Sequence, residues 1–283
     1  MSITSPPAGA LQTGWRLASP EAAPEPILGL RLLRYEAEGR PGALPAITGL
    51  RLQAVGVPEA TMVEDLRAGL TCLVDLPPGP RRILVTDPAR RFLPAALTVV
   101  VPPRFPPRPT LGGAGNTAPR PAPPPRLTLR LRPSPSRAVP AGMTAVIGTL
   151  RDAAGRTVAL GRLDCGSVME GRPVRIVTWT DAEGRFALLL PGEAPRLDQP
   201  PPPPRPRLLE VALPVPGLAA ALAADFLAAL PDDLDGMEPV RQEGLFHPAA
   251  FRPLDADGQP AETPAGTLPI RPGRTIRWDL LAG

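Results

Sequence analysis

Apolar residues alternate with polar ones in short runs along most of this chain, and turn-forming residues separate the runs. The clearest case lies between residues 140 and 192. Residues 143–150 form an apolar-rich run closed by Arg151-Asp152-Ala153-Ala154-Gly155-Arg156, and runs at 174–180 and 185–190 flank Asp181-Ala182-Glu183-Gly184. Asp and Gly tolerate backbone angles that strand residues avoid, so this spacing predicts antiparallel β-structure with a hairpin at 181–184.

Upstream, five aliphatic runs at 27–35, 47–55, 70–76, 82–86 and 92–101 are separated by segments rich in Gly, Pro and Asp, the pattern of a β-sandwich. Leu50, Leu52 and Ala54 share one face at period two, as do Leu28, Leu30 and Leu32. Leu127, Leu129 and Leu131 alternate with Thr128, Arg130 and Arg132, predicting an amphipathic strand that opens a second domain. Leu218, Leu222, Phe226 and Leu230 recur every four residues, which predicts one helix across 217–230. Residues 231–267 read as acidic and irregular. Runs at 267–270 and 275–281, joined by Arg271-Pro272-Gly273-Arg274, read as a closing strand pair.

Composition sharpens the division of the chain. Of 45 prolines in 283 residues, ten fall in 102–125, so that stretch is a connector and not a strand or helix. Residues 1–26 lack a hydrophobic period and read as an extended arm anchored by Trp15. The organisation expected is therefore an arm (1–26), a first β-sandwich (27–101), a Pro/Arg-rich linker (102–125) and a second sandwich (126–283) with a helical insertion near 217–230. The formal charge of +4 is unevenly placed: residues 102–140 hold seven arginines and no acid, leaving 24 basic against 27 acidic residues elsewhere. The high isoelectric point thus gives no ground for a nucleic-acid-binding surface. No run is apolar and long enough to span a bilayer, and the first residues lack a signal-peptide pattern, so the expectation is synthesis in the cytoplasm followed by incorporation into a particle.

Candidate chemistry is sparse. There is no lysine, which removes Schiff-base catalysis and a P-loop; the glycine cluster Gly112-Gly113-Ala114-Gly115 has no lysine behind it. His247 is the sole histidine, and Cys72 and Cys165 are too few and too far apart for a zinc site or a disulfide framework. The acidic stretches at 232–238 and 255–258 hold Asp and Gly without the donor alternation of a calcium loop. No catalytic residue, cofactor or metal is expected. The candidate partner contacts are Trp15, Arg104, Phe105, Arg108 and Arg120, in the arm and linker.

Gly148, Leu150, Asp152 and Gly155, then Thr180, Asp181, Gly184 and Phe186, then Leu190, Pro191 and Gly192 spell G-x-L-x-D-x-x-G, T-D-x-x-G-x-F and L-P-G. This set resembles the carboxypeptidase regulatory-like, or transthyretin-like, β-sandwich family. The resemblance implies an accessory fold, separate from any catalytic domain, over about a fifth of the chain. Ser136-Arg137-Ala138-Val139-Pro140-Ala141-Gly142 with the same strands and the C-terminal I-R-P-G-R-T-x-R-W-D-L is similar, more loosely, to accessory proteins of phage-tail-like contractile injection systems. It implies a place at a baseplate, collar or cap, in several copies. The expected fold class is all-β: two Ig/transthyretin-like antiparallel sandwiches, a Pro-rich linker and one short helix. The expected function is a non-catalytic structural or adaptor subunit bound to other protein subunits. The alternative is a stand-alone carbohydrate- or protein-binding sandwich.

Overall fold

The computed structural model describes residues 15–16, 25–26, 28–34, 49–58, 60–65, 70–74, 76–101, 126–139, 143–169, 172–190, 203–232 and 239–283. The chain is all-β, built from several sheets with a few short helices. It divides into two compact units, Met1–Pro88 with Pro94–Leu131, and Ala89–Leu93 with Arg132–Gly283.

In the first unit, strands β1 (Trp15–Arg16) and β2 (Glu25–Pro26) form a two-residue antiparallel ladder, where a plain extended arm was expected. Backbone pairing needs no alternating apolar face, so composition alone does not reveal it. A four-stranded sheet contains β3 (Leu28–Arg34), β5 (Thr61–Asp65), β6 (Leu70–Val74) and β9 (Arg126–Leu131) in the order β5-β6-β3-β9. A three-stranded sheet orders β4 (Arg51–Ala54), β7 (Gly79–Thr86) and β8 (Ala95–Val101) as β4-β7-β8. Leu50, Leu52 and Ala54 are buried together as their period predicts, with Ile83, Val85, Leu97, Val99 and Val101 from the neighbouring strands. Each large aliphatic side chain removed from water this way contributes about 1.5–3 kcal/mol.

β9 corrects the expected boundary: it pairs in parallel with β3, Gly29 to Arg126 through Arg34 to Leu131, and so completes the first unit instead of opening the second. A parallel partner can be supplied by a strand distant in sequence, which an amphipathic pattern does not reveal. Conversely, Ala89–Leu93 belongs to the second unit, where Leu93 N–H donates to Arg132 O (2.9 Å) and Ser134 N–H to Arg91 O (2.9 Å). Phe92 is buried there, with the Arg91 and Arg137 guanidinium groups 5.8 and 5.6 Å from its ring centroid.

Among the described residues the second unit has two five-stranded sheets. One is centred on β10 (Thr144–Arg151), which is antiparallel to β13 (Arg185–Leu190) and parallel to both β18 (Thr275–Arg277) and β19 (Asp279–Ala282); β19 also pairs β16 (Phe251–Leu254). The other joins β12 (Arg172–Trp179), β11 (Arg162–Met169) and β14 (Arg205–Pro214), with β15 (Phe246–Ala249) and β17 (Thr267–Ile270) pairing successive parts of β14. Phe186, Leu188, Leu190, Leu150, Leu163, Leu209, Leu268 and Leu280 form its core.

Two expected pairings fail here for one reason. β12 and β13 were expected as a hairpin, and 267–270 with 275–281 as a strand pair, yet each turn carries the chain from one sheet to the other. The expected helix is also broken: α1 (Pro216–Ala224) and α2 (Phe226–Ala229) are divided at Asp225, whose backbone is extended (φ −152°, ψ 101°) and whose carboxylate accepts the Ala228 amide at 3.0 Å. Aspartate gains more as an N-cap than inside a helix. A third helix, α3 (Pro239–Leu245), and strands β15 and β16 occupy the segment expected to be irregular. Pro248 and Pro253 are accommodated because β15 and β16 are outer strands, where a missing N–H is tolerated.

One local device recurs three times in this unit: Asp152-Ala153-Ala154-Gly155-Arg156, Asp181-Ala182-Glu183-Gly184-Arg185 and Asp255-Ala256-Asp257-Gly258-Gln259. In each, Oδ1 of the aspartate accepts the amides two and four residues on, at 2.8–3.0 Å. The glycine amide donates back to the aspartate carbonyl, and its φ of 76–78° lies in the left-handed region that favours glycine. The acidic Asp255 segment is thus a self-satisfied turn.

Candidate functional site

The residues singled out in the sequence fall mostly outside the described structure. Arg104, Phe105, Arg108 and Arg120 lie there entirely; Trp15 is placed by its backbone in β1 only. His247 is exposed on β15. Cys72 and Cys165 are buried and form no disulfide. Among the described residues no group of three or more His, Cys, Asp or Glu side chains is arranged to hold a metal ion.

The feature that does assemble is a cleft of about 830 Å³ in the second unit. Its position follows from the crossing at Arg271-Pro272-Gly273-Arg274, where the chain leaves β17 in one sheet and enters β18 in the other. Among the described strands β17 pairs only β14 and β18 pairs only β10, so both are outermost on this side. Trp278, just beyond β18, is held at three points. Its amide donates to Ile147 O (3.0 Å), its indole N–H donates to Pro269 O (3.2 Å), and its carbonyl lies against Gly148 so closely that any Cβ there would overlap it. Gly148, the first residue of the G-x-L-x-D pattern, is therefore required by the approach of the Trp278 backbone. With its N–H satisfied, the indole joins Ile276, Pro203, Pro204 and Pro269 as an apolar lining. Arg271, Arg274 and Glu262 supply the charge. The segment holding Ala261 and Thr263 also borders a second opening of about 620 Å³ on the Phe251 side.

No family model matches the sequence, and no curated protein matches it. Two solved structures do, both weakly. One is a streptococcal ancillary pilin, 11% identical over 58% of this chain and 50% of that one, with a TM-score of 0.23. The other is BcpA, the major pilin subunit of Bacillus cereus, 7% identical over 84% of this chain and 55% of that one, with a TM-score of 0.21. The chain spans about half the length of each. At such scores the fold assignment rests on the strand pairing described above.

The cleft arginines differ from others of the unit. Arg162 and Arg175 converge on buried Asp164 at 3.1 and 2.8 Å, and Arg175 also reaches Glu210 at 2.8 Å. The hydrogen bond to Asp164, with its charge, holds the Arg175 guanidinium above its ordinary pKa. Arg162 further donates to Gln242 of α3 (2.7 Å) and lies over Trp179, which packs on Phe246. Arg156 and Arg185 pair with the aspartates of their own turns. By contrast, Arg271 and Arg274 are exposed and make no side-chain hydrogen bond or ion pair among the described residues.

The two turn aspartates are themselves unlike. At Asp152, burial opposes ionisation, but the Arg156 side chain and the turn amides outweigh it and hold the carboxyl below its ordinary value. At Asp181, burial prevails over the amide and guanidinium of Arg185, Glu183 adds repulsion, and the carboxyl is pushed up.

No local sequence pattern marks the cleft residues as a site. Arg271, Arg274 and Trp278 stood in a conspicuous C-terminal motif, but its strands were read as pairing with each other, which would have closed the space the cleft occupies.

Proposed function

We propose that this chain is a non-catalytic structural or adaptor subunit of a larger protein assembly, and that the cleft of the second unit grips an extended segment of another subunit. The observation that carries this is the anchored indole of Trp278, set between two strands that are outermost among the described ones, with arginines beside it that no described acid matches. An extended segment brings apolar side chains or proline rings to the indole, backbone groups to the strand edges and carboxylates to the guanidinium groups. A place in a phage-tail-like contractile injection particle is the finer form of this proposal and is supported by the sequence resemblance alone.

The test is purification of the chain from its native source with whatever subunits accompany it, alongside Trp278→Ala and Arg271→Glu/Arg274→Glu forms. Partner subunits are expected with the native chain and are lost from both variants, while the exposed double variant keeps its thermal unfolding midpoint. Purification of the native chain as a monomer, with neither other proteins nor further copies of itself, overturns the reading.

A further inference from the structure

We propose that the cleft binds the segment Pro20-Glu21-Ala22-Ala23-Pro24-Glu25-Pro26 of a second copy of this chain, joining copies head to tail. The inference deepens the assembly reading above, on which it rests, by naming the partner. Three observations lead to it. The cleft is lined by proline rings, Ile276 and the Trp278 indole, a surface suited to an extended proline-containing backbone that loses little entropy on binding. Its charge is two arginines to one carboxylate, Glu262, and neither arginine is matched by an acid among the described residues, although Arg156, Arg162, Arg175 and Arg185 of the same unit are.

The third observation is the choice the chain itself offers. It has three proline-rich stretches. Residues 102–125 carry arginines and no acid, and the proline run at 200–204 is followed by Arg205; both would place like charge against Arg271 and Arg274. Residues 20–26 hold three prolines and two glutamates with no base. A contact between an arm on one copy and a cleft on the next uses two different surfaces, so it repeats into a ring or a filament and is not limited to a pair.

The experiment uses the full chain and a labelled synthetic peptide of residues 19–26. The peptide is expected to bind the native chain and to bind the Arg271→Glu/Arg274→Glu chain about tenfold more weakly, with loss at high salt. A peptide with both glutamates replaced by arginine is expected to reverse that preference. Sedimentation velocity is expected to show concentration-dependent self-association of the native chain, absent from either the cleft double variant or Glu21→Arg/Glu25→Arg, and regained when those two are mixed. Absence of peptide binding, or binding indifferent to both charge reversals, overturns the proposal. So does a chain that stays monomeric at every concentration and excludes the peptide, since the arm then occupies its own cleft. A monomeric chain that still purifies with other subunits overturns this inference and leaves the assembly reading standing. Self-association without any other co-purifying protein supports the inference and removes the adaptor role.

Discussion

The turns at Asp152 and Asp181 spell the same pattern, D-A-x-G-R, and close with the same hydrogen bonds, yet they sit in different surroundings. The first lies at the surface, where Arg156 is almost wholly exposed. The second is wedged into the unit: an added Cβ at Gly184 would come within 2.9 Å of Thr157 Cβ and 3.0 Å of the Val158 nitrogen, while Gly155 has open space around it. A local sequence pattern can therefore set a backbone path without setting the energy stored in it. That energy comes from whatever the rest of the fold brings alongside.

The largest effect expected from this contrast is at the two glycines. Gly155→Ala is expected to cost about 1–2 kcal/mol, the penalty of a left-handed backbone with a Cβ. Gly184→Ala adds overpacking and is expected to cost about 2–5 kcal/mol. Urea unfolding of both variants measures the difference, and equal costs would show that the Thr157 side yields freely.

A smaller effect lies in the pH dependence of the carboxyls. The folded pKa of Asp152 is lowered from 3.8, so its ionised form contributes stability above 3.8 that is lost as pH falls through the lower folded value. Asp181 has the opposite sign: its folded pKa is raised, so it contributes stability below 3.8 that is lost as pH rises through the higher folded value. The stability deficit of Asp152→Asn should therefore narrow on acidification below 3.8, and that of Asp181→Asn should narrow as pH rises above 3.8. Thermal unfolding across this range, with carboxyl carbon titration by NMR, checks both signs. Parallel movement of the two deficits would break the comparison.

The smallest effect concerns the third turn, where Gln259 stands in the place of the arginines. Gln259→Arg supplies Asp255 with the missing guanidinium at an exposed site and is expected to add no more than about 0.5 kcal/mol, lost in high salt. A gain well above that in chemical denaturation would mean that the surface pair matters more than the turn's own amides.

The same distinction explains what could be read from residues alone. The run at 185–190 became β13 with its bounds unchanged, because alternation and flanking turns are local properties. The burial of Leu50, Leu52 and Ala54 on one face was legible for the same reason. Which sheet receives the next strand was not legible, since a return and a crossing use similar turn residues; 181–184 and 271–274 were both misread on this account. β9 went to the wrong unit because its parallel partner β3 is far away in sequence. The cleft followed the crossing at 271–274 and was missed with it. Gly148 stands in a sequence motif, but its reason, the carbonyl of Trp278, appears only once the distant segment is beside it.

That distance also orders events during synthesis. The amide of Thr149 in β10 donates to the Asp279 carboxylate, 130 residues later, and β18 and β19 together cover the side of β10 away from β13. A ribosome adding about 5–20 residues per second needs roughly 6–26 s to cover that interval. Once β13 has been made, β10 can pair with it yet keeps an open flank until β18 and β19 follow, including buried-to-be Val146 and Leu150. The second unit is consequently one that the emerging chain can begin early but close only when β18 and β19 are made, and until then the unpaired edge of β10 is open to wrong pairing.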